Sequence, residues 1–181
     1  QNQWFVASPI VSQPGGEWKD WKVGIYDYKS KEWKTSVQLE MECVMDLRVL
    51  PNEKKVYVGS CGQHYQQAAT HSYGWVYSVD LEKNESKTIP IDGGVLSLEM
   101  SPDGKRIFIG AGDPLPKNTN NIQVVDTQTD TVVGSADLSK LPQIGTGFTE
   151  VRDVEIDPSN PNFLYAISPV TNGIVKINLD L

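Results

Sequence analysis

The chain has 181 residues, 39% hydrophobic and 22% charged, which suits one folded domain or a piece of a larger one and excludes a disordered tail. Sixteen Lys and Arg against 23 Asp and Glu give a net charge of −7, a poor match to nucleic acid or an anionic membrane. No apolar run reaches the roughly 20 residues of a membrane helix, no signal peptide is expected to remain at Gln1 to Ile10, and two cysteines are too few for a disulfide scaffold or a cysteine-only zinc site.

The predicted elements are all strands. Gln3 to Ala7, Gly24 to Asp27 and Trp33 to Leu39 come first, each short and rich in β-branched or aromatic residues. A longer unit then begins at Val44, turns at Pro51-Asn52-Glu53 and returns through Val56-Tyr57-Val58-Gly59. Strands at Ser78-Val79-Asp80 and Ser86 to Ile91 follow. The unit repeats from Val95, through Ser101-Pro102-Asp103-Gly104-Lys105 to Ile107-Phe108-Ile109-Gly110, then Val124-Val125-Asp126 and Thr131 to Leu138. It starts again at Val151, continues at Leu164 to Ile167 and ends on Gly173 to Leu179. No convincing helix is found; Leu138-Ser139-Lys140-Leu141 offers one turn before Pro142.

Turn chemistry recurs with the strands. Pro102 presets φ near −65° and Gly104 accepts a positive φ, so Pro102-Asp103-Gly104 reads as a three-residue hairpin loop. Asp27, Asp80 and Asp126 each open a polar turn, where an aspartate can accept amides two residues on. With the strands of a unit called A to D, the chain order is B-C-D, A-B-C-D, A-B-C-D, A-B-C. Four-stranded units with one turn chemistry point to an all-β, partial β-propeller of about three and a half blades, fourteen strands in all. A β-sandwich of hairpins is the other reading, but it does not need the same turn three times. The units run about 1–40, 41–92, 93–138 and 139–181.

The run from Ser101 to Gly110, followed by Ile122 to Gly134, resembles the YVTN-type propeller repeat of surface-layer and lactonase-like proteins. Val79-Asp80-Leu81-Glu82-Lys83-Asn84 is similar to blade sequences of the quinohaemoprotein amine dehydrogenase propeller subunit. The resemblance implies a closed ring of seven blades. Fourteen strands are half of the 28 such a ring needs, so a second copy or another propeller-half chain is expected as partner.

In this fold the B-to-C and D-to-A connections share one face. Pro9 to Lys22, Cys61 to Gly74, Gly112 to Asn121 and Ser139 to Glu150 are long, so length is added almost entirely to that face. Candidate binding residues there are Trp18, Trp21, His64, Tyr65, His71, Tyr73, Trp75, Asp113 and Phe148, each aromatic weighed against simple cover for a blade edge. His64 and His71 lack the further ligands a metal needs, and nothing supplies a nucleophile for a general base. Asp46 and Asp153 hold matching A-strand positions, where the third unit has Ser97; they could meet as channel carboxylates or bond to nearby backbone, with Arg152 as counter-ion. Gly15-Gly16 and Gly93-Gly94 precede no helix and are not phosphate loops, and Asn84-Glu85-Ser86 fits a glycosylation sequon.

Two functions fit. One is a secreted or cell-surface module that binds a protein, small molecule or glycan on the long-loop face. The other is the propeller subunit of an enzyme, amine-dehydrogenase-like or lactonase- or lyase-like. No Cys-x-x-Cys-His haem motif is present, and no cofactor or metal is expected.

The cysteines give the compartment. Carrying the Ser101–Lys105 pairing to the second unit sets Leu50 opposite Lys54 and Cys43 directly opposite Cys61, a non-hydrogen-bonded pair with Cα atoms about 4.5 Å apart. A disulfide across the long-loop rim is expected in an oxidising compartment: extracellular, cell surface or periplasm. A bulge would shift this register, and two buried thiols in a cytosolic protein are the alternative.

Overall fold

The computed structural model describes residues 3–10, 20–41, 43–61, 73–112, 122–138, 150–168 and 173–179, with backbone alone at Tyr73. Trp18, His64, Tyr65, His71, Asp113, Phe148 and 139–141 of the single-turn candidate lie outside them. Fourteen strands are present: β1 (Gln3–Pro9), β2 (Asp20–Asp27), β3 (Glu32–Glu40), β4 (Asp46–Val49), β5 (Lys55–Ser60), β6 (Tyr73–Asp80), β7 (Glu85–Asp92), β8 (Gly94–Met100), β9 (Arg106–Gly112), β10 (Ile122–Asp126), β11 (Thr131–Ala136), β12 (Asp153–Ile156), β13 (Phe163–Ser168) and β14 (Gly173–Asn178). They form four antiparallel sheets, ordered β1-β2-β3, β4-β5-β6-β7, β8-β9-β10-β11 and β12-β13-β14. This is the predicted B-C-D, A-B-C-D, A-B-C-D, A-B-C order. Trp21, Tyr73 and Trp75, placed above in or beside loops, belong to strands β2 and β6.

Each sheet packs face to face on the next. One apolar cluster joins the first and second blades through Val23, Leu39, Val56, Val58 and Val79. A second joins the second and third through Tyr57, Val76, Leu98, Ile107 and Ile109. A third joins the third and fourth through Phe108, Ile122, Val154 and Leu164. Strand alternation sends odd and even positions to opposite faces, so each interior sheet is apolar on both sides. The arc is a partial β-propeller and it is not closed. The 28-strand arithmetic does not carry over, because each chain spreads its strands over four sheets and two copies would bring eight.

The aspartate turns form as expected. Asp27 Oδ1 accepts the Lys29 and Ser30 amides at 2.9 and 3.1 Å, Asp80 those of Glu82 and Lys83 at 3.0 Å each, and Asp126 those of Gln128 and Thr129 at 3.0 and 2.8 Å. Each turn ends on a left-handed residue, Lys31, Asn84 or Asp130, with φ of 59°, 55° and 53°. The A-to-B loop is one residue longer than predicted. The Gly104 amide donates to the Ser101 carbonyl and the Ser101 amide to the Arg106 carbonyl, so four residues, Pro102 to Lys105, span the turn. Gly104 supplies φ 70°, and in the second unit Glu53 takes φ 60° in its place. That shifts both hairpins by one residue: Leu50 faces Lys55 and Asp46 faces Gly59. In the third unit a bulge between Val95 and Ser97 removes the shift, so Gly94 pairs with Gly112 after all.

Polar contacts tie neighbouring blades together near these turns. The Tyr57 hydroxyl donates to Asp130 Oδ1 at 2.5 Å, and Lys55 Nζ pairs with Asp130 at 3.0 Å. Burial is the main cause pushing the Tyr57 hydroxyl well above its ordinary pKa, with the Asp130 carboxylate adding to it. Tyr57→Phe should cost about 1–3 kcal/mol in urea unfolding, because it removes the hydroxyl that the partly buried Asp130 carboxylate accepts from.

The Asp27, Asp80 and Asp126 carboxyls are held below their ordinary value of 3.8, chiefly by the Ser30, Lys83 and Thr129 amides. The unfolded chain then binds more protons in acid, so this stabilisation is complete above the ordinary value and is lost as pH falls below it. Melting temperature should fall on the acid side of pH 3.8 and fall less steeply in the triple Asp→Asn variant at these positions.

Candidate functional site: the long-loop rim and the inner strands

Connections at one end of the sheets are short: 28–31, 81–84 and 127–130 after the C strands, and 50–54, 101–105 and 157–162 after the A strands. At the other end, 10–19, 61–72, 113–121 and 137–152 are long, whereas 41–45, 93 and 169–172 are short. The fourth blade therefore contributes a short B-to-C loop, unlike the first three.

The Cys43–Cys61 disulfide forms at this rim, with Cα atoms 5.8 Å apart. The register expected along β4 and β5 is off by one, since Asp46 pairs with Gly59. Between that pair and the cysteines the pairing shifts by one, as between Gly94 and Ser97 in the next blade, and the two errors cancel. The Met45 amide still donates to the Gly59 carbonyl at 2.9 Å, and the Cys61 amide points at Cys43 Sγ at 3.0 Å.

Two of the predicted aromatics are described here with their side chains. Trp21, on β2, and Trp75, on β6, both pack half-buried against the cluster between the first two blades. Trp21 pairs with Pro9 and Leu39 across its sheet, and its Nε1 is buried without a hydrogen-bond acceptor. Beside them the Tyr77 hydroxyl donates to the Glu40 carbonyl at 2.9 Å. One blade further on, Gln123 bridges the rim: its Oε1 accepts the Asp92 amide at 3.0 Å and its Nε2 donates to the Asp92 carbonyl at 2.8 Å.

The inner strands carry charge, and of the two readings of Asp46 the structure shows bonding to nearby backbone. Asp46 Oδ2 accepts the Leu98 amide of the next blade at 2.9 Å, and Oδ1 accepts from Leu47 N and Arg48 Nη1 at 2.7 and 2.6 Å. Its role is to cap a free edge amide. Asp153 is exposed, two blades away. Arg152 does not serve as its counter-ion; its Nε donates to Glu150 Oε1 at 3.0 Å. Ser97, in the matching position, is buried with Oγ unpartnered. Arg48, Glu99 and Glu155 occupy one further equivalent position, opposite Tyr57, Phe108 and Tyr165. Arg48 Nε reaches Glu99 Oε2 at 3.2 Å. Burial, then the Glu155 charge, pushes the Glu99 carboxyl above its ordinary value. This Arg-Glu-Glu series is legible in the sequence once the three repeats are aligned. Among the described residues, no three His, Cys, Asp or Glu are placed to hold a metal.

No family model matches the chain, and no curated protein matches it in sequence. Among solved structures, the hydrazine synthase of Kuenenia stuttgartiensis is similar with TM-score 0.64 and 20% identity, over 90% of this chain and 44% of that one. The periplasmic gluconolactonase of Pseudomonas aeruginosa is similar with TM-score 0.63 and 15% identity, over 97% and 50%. Both have β-propeller folds, and at these identities the likeness speaks to fold alone. The chain spans about half the length of each.

The Cys43→Ser/Cys61→Ser double variant should lose about 3 kcal/mol, since the bridge closes a loop with a sequence separation of 18. Chemical denaturation of parent and variant under non-reducing conditions measures it.

Proposed function

We propose that this chain is a propeller segment of an extracytoplasmic protein that binds a small molecule, glycan or protein partner on its long-loop face. The carrying observation is the Cys43–Cys61 bridge at the end of the sheets where the long connections emerge. A disulfide persists in oxidising compartments, and long loops on rigid strands commonly carry recognition. The resemblance to the YVTN-type repeat and the periplasmic location in one neighbour's name support the same reading. The contacts proposed on that face are Trp18, Trp21, His64, Tyr65, His71, Tyr73, Trp75, Asp113 and Phe148.

A second reading, the propeller part of an enzyme, is favoured by one observation: the two similar structures named above bear enzyme names. Turnover of a lactone, or of an amine with a redox dye, by the purified chain would favour it over the binding module.

Screening the protein against glycan and small-molecule libraries by thermal shift tests the binding reading. A hit should be weakened about 30-fold or more by Trp18→Ala or Phe148→Ala, with the ligand-free melting temperature little changed. Hits that survive replacement of 62–72 and 113–121 by short Gly-Ser linkers would show the loops to be irrelevant. Free thiols at Cys43 and Cys61 in protein from its native compartment would remove the extracytoplasmic reading.

A further inference from the structure

The C-to-D turns at 28–31, 81–84 and 127–130 share one backbone shape but end on different side chains. Lys31, Asn84 and Asp130 all take a left-handed conformation, which Asn tolerates well but which does not require it. Asp130 is fully engaged, receiving Lys55 and Tyr57 from the preceding blade. Asn84 is engaged on one side. Its Oδ1 accepts the Thr35 hydroxyl of the preceding blade at 2.7 Å, and its Nδ2 has no hydrogen-bond partner among the described residues. Oxygen and nitrogen lie on opposite sides of the planar amide, so holding the oxygen turns the nitrogen away from the blade contact.

The residues after the turn differ as well. Ser86 pairs with Val79, as Trp33 pairs with Tyr26 and Val132 with Val125. A hydroxyl therefore stands where the other two blades place a large apolar side chain. Asn84, Glu85 and Ser86 are all exposed, and β7 is the outermost strand of its sheet. Asn84 is also the only asparagine of the chain with a Ser or Thr two positions on, and the residue between is not Pro.

The geometry points to Asn84 as an N-glycosylation site, with Ser86 as the hydroxyl of its acceptor triplet. This rests on the extracytoplasmic part of the function proposed above, since such transfer takes place outside the cytosol. The donor is a glycan joined through phosphate to a membrane lipid. A bond forms from Asn84 Nδ2 to the anomeric carbon as the bond from that carbon to the phosphate oxygen breaks. The lipid phosphate leaves with the electron pair, and the amide gives up one proton. Oδ1 remains a carbonyl oxygen throughout, so the Thr35 hydrogen bond is kept in the modified chain. The turn lies at the end of the sheets away from the Cys43–Cys61 bridge and the long connections, so the glycan leaves that face clear.

Peptide mass spectrometry of the protein from its native compartment tests this, using a non-reducing digest that keeps Asn84 and Ser86 in one peptide. That peptide should carry a glycan mass on Asn84. Ser86→Ala, made in the same host, should lose it, and Ser86→Thr should retain it. Ser86 is exposed, so both variants should keep the parental melt. A glycan that survives Ser86→Ala would overturn the site. So would a bare Asn84 in protein whose Cys43 and Cys61 are joined, and that result leaves the extracytoplasmic reading standing. A bare Asn84 together with free thiols would overturn both.

Discussion

Close approach between successive sheets is the constraint on which the rest of the molecule depends. A four-stranded sheet buries little by itself, and each interior blade here is apolar on both faces, so stability comes from stacking. The stacking is tightest along the inner edge. There Gly59 and Gly110 leave no side chain between their own sheet and the next, and Val95 and Val151 move into the space. Two residues earlier in the same strands an aromatic fills the wider gap further from that point: Tyr57 and Phe108, with Phe5 and Tyr165 as equivalents in the outer blades. Small and large alternate down one strand, and the sheet spacing follows.

Polar groups follow the same geometry. An innermost strand has one edge without a partner strand, and its amides need acceptors. Asp46 meets that need across the blade boundary at Leu98, which is why a residue that resembles a channel carboxylate is structural. At the opposite end, Asp130 plays the corresponding part, receiving Lys55 and Tyr57 from the preceding blade. Thr35 reaches Asn84 in the same way one blade earlier, at 2.7 Å. Two of the left-handed residues that finish the turns, Asn84 and Asp130, therefore also lock blades together.

Variation in chain length is left to the opposite rim. Its connections vary in length while the turns at the other end stay almost constant, and the disulfide anchors one of them to the inner strands. Such a division leaves variation in length to the loops and stability to the strands, so that either can change without the other.

The sequence by itself determined strand number, strand order and the grouping into four sheets, because period-two patterning and Asp or Pro-Asp-Gly turns are local properties. It also located the disulfide, through a register that was off by one and a bulge that offset it. What it left undecided required neighbours far along the chain. Asp46 reads as a site residue until the Leu98 amide, 52 positions away, is seen to occupy it. Trp21 reads as a loop aromatic until its packing between two blades is known. Tertiary structure decided these because a carboxylate or an indole acquires its role from the sheet opposite, and no local pattern encodes which sheet that is.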